Sequence, residues 1–305
     1  MDNLVSLQPI QPFPSGDILA YALRESSLYI YQLGLRDYVA YCQQQECDPL
    51  DPQSLAAWRD FLVEQTEKSP NTINRMMSAV RRITKEAAQR GLIDPSLRVA
   101  FEDVPGVKVR KLKERLKRHA RTRITPEEMR HLCEAPRRET LLGKRDAALL
   151  AVLASSGIRA EEAAHLQLQD IVSRGGGYII RVQGKTDVEP REAHLSREAK
   201  LLIDTWIAAR PVASSFLFTA FSTRAAKPST EPLSDTAIWL IVQKYAKHCG
   251  LQHIKPHDFR RFVGTELAKD DIRKAQKALG HKSIETTARH YVLDELEPGL
   301  TDDLY

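Results

Sequence analysis

Cysteine is scarce in this 305-residue sequence. The four cysteines are scattered along the chain: Cys42, Cys47, Cys133 and Cys249. Because no two of them form the paired spacing of a disulfide framework, we expect free thiols in a reducing compartment. A zinc site at Cys249, His253 and His257 would lack a fourth ligand close in sequence. We therefore expect no disulfide, no metal and no cofactor.

Long apolar runs are also missing. The longest, residues 147–158, is interrupted by Ser155 and Ser156 and is too short to span a bilayer. Residues 1–14 have no Lys or Arg ahead of an apolar run and do not resemble a signal peptide. A hydrophobic content of 42% and a charged content of 28% are ordinary for a chain with room for two cores. We therefore expect a cytoplasmic, two-domain protein.

Positive charge is concentrated in one segment. Between residues 108 and 123, nine Lys and Arg residues face the single Glu114, so the segment has a net charge of +8 in a chain whose total is +5. A basic strip beside a near-neutral body is typical of a protein that clamps DNA, because each neutralised phosphate releases counterions. A solvated linker is the alternative for any basic run taken alone.

The pattern of apolar residues predicts a helical first domain. Apolar positions recur at three and four residues through 15–98, and the sequence predicts helices over 53–65 and 71–89. Gly91 is suited to end the second of these helices. The predicted organisation is then an N-terminal tail (1–14), a helical domain (15–103), a basic linker (104–122) and a second domain (123–305) with a C-terminal tail (292–305).

The second domain begins with a helix start signal. Thr125 is predicted to cap a helix that has Pro126 at its first position and Glu128 closing a capping box. Residues 148–156 predict a buried helix, residues 178–182 and 193–195 two short strands, and residues 234–249 a helix capped by Ser234. The predicted fold class is therefore mainly α with a small β-sheet (α+β).

Four short motifs carry the side chains suited to phosphate chemistry. They are residues 156–162 (SGIRAEE), 184–186 (GKT), 257–261 (HDFRR) and 279–283 (LGHKS), and Tyr291 follows them. In this order they resemble the motifs of the tyrosine recombinases, also called the phage integrase family. Residues 71–75 (NTINR) resemble the amino-terminal core-binding domain of that family. The resemblance covers nearly the whole chain.

The resemblance implies a fold and a function. The fold would be a helical, SAM-like core-binding domain followed by a mostly helical catalytic domain. The function would be site-specific DNA recombination, in which strands are cut and rejoined through a 3′-phosphotyrosine and a Holliday junction without ATP or metal. The partner would be a double-stranded DNA site with inverted repeats, bound by a dimer at each site and a tetramer in the synapse, at the nucleoid.

Arginine is the side chain best suited to hold a reacting phosphodiester. Its planar fork donates two parallel hydrogen bonds and remains charged, and we expect Arg159 and Arg260 to form this phosphate cradle. His257 lies three residues before Arg260, so a helix would place the two on one face. Glu162, three residues after Arg159, is expected to orient its neighbours without reacting.

The remaining roles follow from the resemblance. Tyr291 would attack phosphorus, and because a phenol with a pKa of about 10 is mostly protonated at neutral pH, it needs a proton acceptor. His257 is the expected acceptor. Lys185 is expected to protonate the leaving 5′-oxygen, and His281 to donate a hydrogen bond to the phosphate.

The spacing between His281 and Tyr291 departs from the family pattern. It is ten positions, whereas the family more often has nine, and His290 occupies that place here. A shift of one residue turns a helical side chain by about 100°, which would misdirect a nucleophile unless the preceding turn compensates. We expect Tyr291 to be the nucleophile, since the only later tyrosine is Tyr305.

Three segments supply candidate DNA contacts. The helix over 71–89, the basic strip and the helix after Ser234 each present polar or cationic side chains, and similar helices of the family grip DNA. The candidates are Asn71, Asn74, Arg75, Arg81, Arg82, Lys108, Lys111, Lys113, Ser234, Thr236, Trp239 and Lys244. The polar face of a packed amphipathic helix is the alternative for each helical residue.

Two other functions use the same residue types. A type IB topoisomerase shares the Arg, Lys, His and Tyr chemistry but relaxes DNA without exchanging partners; the helical core-binding domain and the chain length argue against it. A catalytically inactive DNA-binding regulator is the second alternative, and the shifted position of Tyr291 keeps it open. Integration, excision and resolution of DNA, including movement of a mobile genetic element, all remain open as biological tasks.

Overall fold

The protein is mainly helical. The computed structural model describes residues 14, 16–19, 25–115, 123–183, 190–222, 228–281 and 283–291. The chain divides into two compact units, Met1–Ala120 and Arg121–Tyr305. Among the described residues, no helix combines the length and apolarity needed to cross a membrane.

The first unit is a helical bundle, as the apolar periodicity predicts. Its α-helices are α1 (Glu25–Gln44), α2 (Pro52–Gln65), α3 (Pro70–Gln89) and α4 (Pro95–Asp103). Three of them begin with proline after a side-chain cap, Asp51, Ser69 or Asp94, whose oxygen accepts a first-turn backbone N–H. Aromatic and aliphatic side chains such as Tyr38 and Trp58, whose ring centroids lie 5.1 Å apart, fill the core.

The basic strip is packed against the first unit over its described part. A 3-10 helix, Val109–Arg115, buries Leu112 in the core of this unit, and Arg115 donates from Nη1 to the carbonyl of Thr66 at 2.7 Å. Residues 104–115, predicted as linker, therefore extend the first unit. Lys108 is exposed, whereas the side chains of Lys111 and Lys113 lie outside the described residues.

The second unit is built around a buried helix, α6 (Leu141–Ser156). Its helices are α5 (Pro126–Glu134), α6 (Leu141–Ser156), α7 (Ala160–Ala164), α8 (Arg197–Ala209), α9 (Asp235–His248), α10 (Pro256–Asp270), α11 (Ile272–Leu279) and α12 (Ile284–Tyr291). The capping box predicted at Thr125 is confirmed, with Glu128 accepting from the Thr125 N–H at 2.8 Å. Residues 147–150 of α6 have no exposed surface, so this helix forms the centre of the core.

Two small antiparallel sheets complete the second unit. One has the order β1 (Ile171–Arg174), β2 (Gly177–Val182) and β3 (Arg191–Leu195), and the other pairs β4 (Thr219–Phe221) with β5 (Pro228–Pro232). Strands β2 and β3 are those predicted from the sequence, and Val182 pairs with Arg191 at their last register position. The predicted fold class, mainly α with a small sheet, is confirmed.

Candidate active site

Arg159 lies immediately after the end of α6. Gly157 ends that helix in the left-handed conformation, with φ at +62°, and the chain then turns into α7. The Arg159 N–H donates to Glu162 Oε2 at 2.7 Å, and its Nη1 donates to Glu162 Oε1 at 2.8 Å. The Arg159 side chain remains 50% exposed. Its guanidinium is thus held at one edge by a carboxylate while much of it faces solvent.

Glu162 is buried between two guanidiniums. Arg191, at the start of β3, donates from Nη2 to Glu162 Oε2 at 2.6 Å. Burial opposes ionisation of Glu162, but the charges of Arg191 and Arg159 and the hydrogen bonds from Arg159 outweigh it and lower the pKa of the carboxyl. Glu162 therefore carries a negative charge at neutral pH and can orient both arginines. Its supporting role in a reaction stays a prediction.

Arg260 is almost completely buried in α10, with 1% of its surface exposed. It donates from Nη1 to the carbonyl of Gly157 at 2.8 Å and from Nη2 to the carbonyl of Leu279 at 2.5 Å. This side chain therefore connects the turn before Arg159 to the end of α11. Burial lowers the pKa of Arg260 to about 10, so the guanidinium is still charged at neutral pH.

His257 stands in the first turn of the same helix. Unlike Arg260, which lies three residues later, His257 is exposed. The first turn of α10 is held by Asp258, which accepts from the Lys255 N–H at 2.8 Å. His257 and Arg260 lie on one helix, as the sequence predicts, but the imidazole is exposed and the guanidinium is buried. That the two meet one phosphate from a common face stays a prediction.

His281 is oriented by two neighbours. Gly280 ends α11 in the left-handed conformation, with φ at +65°. The His281 Nδ1 lies 2.9 Å from Thr287 Oγ1, and the ring stacks on that of Tyr291 with centroids 5.3 Å apart and planes 24° apart. The fixed imidazole and the phenol therefore lie against each other.

Tyr291 is the last described residue, and only 3% of its surface is exposed. Its ring packs with Val263 and Leu279 in a small apolar cluster. The phenol also lies within electrostatic reach of Arg260, since the charge of an ionised Tyr291 favours the charged guanidinium. Although the spacing between His281 and Tyr291 is one residue longer than is usual, Tyr291 still lies within electrostatic reach of Arg260.

The residues that the structure brings together come from four separated segments. Arg159, Glu162, Arg260, His281 and Tyr291 are connected through Gly157, Leu279 and the rings described above. Lys185 lies in 184–189, outside the described residues, between the end of β2 and the start of β3. The sequence prediction missed Arg191. The signal for it was a single cation six positions after Lys185 and two positions before the strand predicted at 193–195.

Two of the predicted DNA contacts in α3 are engaged within the first unit. Asn74 donates from Nδ2 to the carbonyl of Val107 at 3.0 Å and accepts the Val107 N–H on Oδ1 at 2.8 Å. Arg81 donates to the carbonyls of Phe101 and Val104 at the end of α4. The structure gives both side chains an internal role, and a DNA contact for either stays a prediction.

The other α3 candidates differ in exposure. Asn71 and Arg75 are exposed and lie four residues apart, on one face of the helix. Arg82 is partly buried and lies near Glu86, with 3.9 Å between Nη2 and Oε2. Asn71 and Arg75 are therefore the better placed of the three to meet a ligand.

Helix α9 presents an exposed face. Ser234 caps it, accepting from the Ala237 N–H at 3.1 Å as predicted. Thr236 is exposed, and Trp239 is 44% exposed. Lys244 donates to the hydroxyl of Tyr245 at 3.0 Å. Thr236 and Trp239, which lie three residues apart, share one exposed face of the helix.

Comparisons with known proteins agree with this arrangement. The sequence matches the model described as "Phage integrase family" over residues 122–296 and the model described as "Phage integrase, N-terminal SAM-like domain" over residues 18–91. A tyrosine recombinase of Synechococcus elongatus is 30% identical over 94% of this chain and 92% of its own length. Tyrosine recombinase XerC of Treponema denticola is 28% identical over 78% of this chain and 80% of its own length.

Solved structures have the same fold. The recombinase XerH bound to a palindromic difH substrate, in a post-cleavage complex, matches with a TM-score of 0.67 and 18% identity over 91% of this chain and 78% of the other. A lambda integrase dimer bound to a COC′ core site matches with a TM-score of 0.62 and 18% identity over 93% and 78% of the two chains. At these identities, the likeness concerns the fold.

Proposed function

The chain belongs to the phage integrase family, the tyrosine recombinases, whose activity is site-specific DNA recombination, and we propose that it cuts and rejoins DNA through Tyr291. The resemblance predicted from the four motifs is confirmed by this membership. The observation that supports the proposed nucleophile most directly is the packing of Tyr291 on His281 and Leu279, because Leu279 is also held by Arg260.

The proposed reaction is transfer of a phosphoryl group to a phenol. The Tyr291 oxygen forms a bond to phosphorus, the bond from phosphorus to the 5′-oxygen breaks, and the DNA is left with a 3′-phosphotyrosine and a free 5′-hydroxyl. His257 accepts the phenolic proton, and Lys185 supplies the proton that the 5′-oxygen gains. Because the phosphodiester bond is exchanged for a phosphotyrosine bond and is not hydrolysed, attack of a 5′-hydroxyl on the phosphotyrosine rejoins the strand without ATP.

The proposed phosphate cradle uses charges that are already fixed. Arg159 is oriented by Glu162 and half exposed, while Arg260 is buried and charged. Donors that are in place before the substrate binds stabilise developing negative charge without reorganisation at the moment of reaction. His281, oriented by Thr287, is proposed to add a hydrogen bond to the same phosphate.

The proposed substrate is a double-stranded DNA site with inverted repeats. The relatives of known structure include recombinases bound to their DNA sites, and we propose the same class of partner here. A dimer would occupy each site and a tetramer the synapse, in the cytoplasm at the nucleoid. The exposed side chains proposed to contact DNA include Asn71, Arg75, Lys108, Thr236 and Trp239.

Recombination of a plasmid tests this proposal. The plasmid carries two directly repeated copies of the site, and the reaction contains EDTA and no ATP. Wild-type protein should give two smaller circles and the Tyr291→Phe variant none. A change in supercoiling without smaller circles would contradict recombination in favour of a topoisomerase, and DNA binding with no change in either would favour a regulator.

A further inference from the structure

We propose that Arg191 is a positioning residue for DNA cleavage, which holds Glu162, and through it the guanidinium of Arg159, against the end of α11. This inference rests on the proposed function, because it concerns the placement of the phosphate cradle. It assigns a role to a residue that none of the four motifs contains. The contacts, burial and charge of Arg191 support it in turn.

The contacts of Arg191 join three separate elements. The residue starts β3, its Nη2 donates to Glu162 Oε2 of α7 at 2.6 Å, and its Nη1 donates to the carbonyl of Ala278 in α11 at 3.3 Å. Glu162 in turn accepts from Arg159 on both of its oxygens. One side chain therefore fixes the relative positions of the strand, the carboxylate that holds Arg159, and the helix that leads to His281.

The surroundings of Arg191 leave it little freedom to move. Its side chain is 11% exposed, and it passes beside Gly280, where an added Cβ would overlap the Arg191 Cδ. Gly280 is also in the left-handed conformation that favours glycine. The same glycine thus allows α11 to end and leaves room for the Arg191 stem.

Stability alone does not account for an arginine here. The Nε of Arg191 is buried and has no hydrogen-bond partner within the described part of the chain, and leaving a buried donor unpaired costs about 1–3 kcal/mol. Replacing a buried ion pair by apolar residues is often neutral or stabilising. Because an apolar pair could serve stability as well, the role that we assign to Arg191 is the positioning of Glu162.

The electrostatic environment agrees with this role. Arg191 and Arg159 both disfavour the charged form of Arg260, and Glu162 favours it. Three guanidiniums around a single carboxylate leave a net positive charge that a phosphate can neutralise. Of these arginines, Arg159 is half exposed and Arg191 is buried, so Arg159 meets the phosphate and Arg191 acts through Glu162.

The test compares cleavage by Arg191→Gln, Arg191→Lys and Arg159→Ala with wild type. Two duplexes are used, one with a normal scissile phosphate and one with an uncharged methylphosphonate at that position. The matched control is Arg174→Gln, the same change at an exposed arginine of the same sheet, which pairs with Glu192. Thermal stability and DNA affinity are measured for every variant.

We expect Arg191→Gln to slow formation of the covalent complex by about tenfold to a hundredfold on the normal duplex, since a misplaced cradle costs that much. DNA affinity should stay near that of wild type, and thermal stability should fall because the buried Glu162 carboxylate loses a charged partner. Arg191→Lys should recover part of the rate. On the methylphosphonate, which lacks the charge that Arg159 neutralises, the defects of Arg191→Gln and Arg159→Ala should both shrink. Arg174→Gln should cleave at the wild-type rate.

A wild-type rate for Arg191→Gln at a temperature well below the melting temperatures of both proteins would overturn the inference. So would an equal defect on both duplexes, because each indicates a structural role only. If wild-type protein forms no complex that depends on Tyr291, the proposed function itself fails. The two failures are therefore distinguishable in the same experiment.

Discussion

The ring of Tyr291 packs directly over Gly264. A Cβ added at Gly264 would lie 2.5 Å from Tyr291 Cδ1 and 2.7 Å from Cε1, closer than side chains approach one another. Gly264 lies one helical turn after Arg260 in α10. The absence of a side chain at Gly264 therefore leaves a slot in α10, and the phenol of Tyr291 occupies this slot.

Substituting Gly264 by Ala should displace the phenol. We expect Gly264→Ala to lower the rate of covalent complex formation by about tenfold or more, because misplacing a reacting group by about 1 Å has effects of this size. DNA affinity should be unchanged. The measurement is the rate of complex formation on a synthetic site under single-turnover conditions.

The matched control is Gly177→Ala. An added Cβ at Gly177 would meet only the Arg174 carbonyl, at an ordinary distance of 3.8 Å. This variant should cleave DNA at the wild-type rate. Equal rates for Gly264→Ala and Gly177→Ala would contradict the slot at Gly264.

Gly157 is needed for both its conformation and its lack of a side chain. An added Cβ there would lie 3.0 Å from Leu279 Cδ2 and 3.2 Å from Val263 Cβ, at a φ of +62°. Gly175 also has a positive φ, +56°, but no atom of the described residues lies within 4 Å of its Cβ position. The difference between Gly157→Ala and Gly175→Ala therefore isolates the crowding at Gly157.

We expect Gly175→Ala to lower the free energy of unfolding by about 1 kcal/mol, the cost of a left-handed alanine, and Gly157→Ala to lower it by about 1–3 kcal/mol more, because overpacking adds strain. Urea denaturation measures both. Equal losses in the two variants would show that the packing of Gly157 on Leu279 contributes nothing.

The lowered pKa of Glu162 predicts a pH-dependent stability. A carboxyl with a lower pKa in the folded than in the unfolded protein stabilises the fold above its unfolded pKa, and this contribution is lost as the pH falls through the folded pKa. We expect the excess free energy of unfolding of wild type over Glu162→Gln to be complete at about pH 7 and to decrease below the ordinary value of 4.5. Urea denaturation across this range measures it.

The control for this prediction is Glu231→Gln, which changes an exposed carboxylate on β5. Its free energy of unfolding should follow that of wild type at every pH. A constant difference between wild type and Glu162→Gln down to about pH 3 would mean that the ion pairs of Glu162 do not favour its charged form.

Asn74 stabilises the first unit through the Val107 backbone. We expect Asn74→Ala to lower the free energy of unfolding by about 1–3 kcal/mol, since both backbone groups of Val107 lose their partners. Asn71→Ala, at an exposed position of the same helix, should leave stability unchanged. Urea denaturation of both variants checks this, and equal stabilities would contradict the role of Asn74.

Local signals in the sequence were sufficient for much of the fold. The capping box at Thr125, the end of α6 at Ser156 and the strands on either side of residues 184–189 depend on neighbouring residues, and all were predicted correctly. The strands β1, β4 and β5 were missed. The sequence of β5, PSTEP, has two prolines and little apolar character. Their pairing becomes visible only in three dimensions.

The candidate site likewise contains residues that could be predicted from the sequence and residues that could not. The motif residues could be recognised in the sequence because each stands beside a glycine, a histidine or a second charge in a familiar order. Arg191 and Gly264 could not, since their importance comes from contacts with Glu162 and Tyr291, which lie 29 and 27 positions away in the sequence. The internal contacts of Asn74 with Val107 were hidden for the same reason.

The central claim, that Tyr291 becomes covalently attached to DNA, is tested most directly in cells. Cells that express the protein are denatured, and the DNA that remains attached to the protein is recovered and sequenced. Wild type is compared with Tyr291→Phe, and Tyr305→Phe is the control. We predict that wild type and Tyr305→Phe trap one discrete inverted-repeat site and that Tyr291→Phe traps none. Trapping by Tyr291→Phe, or by none of the three while all bind DNA, would contradict the account.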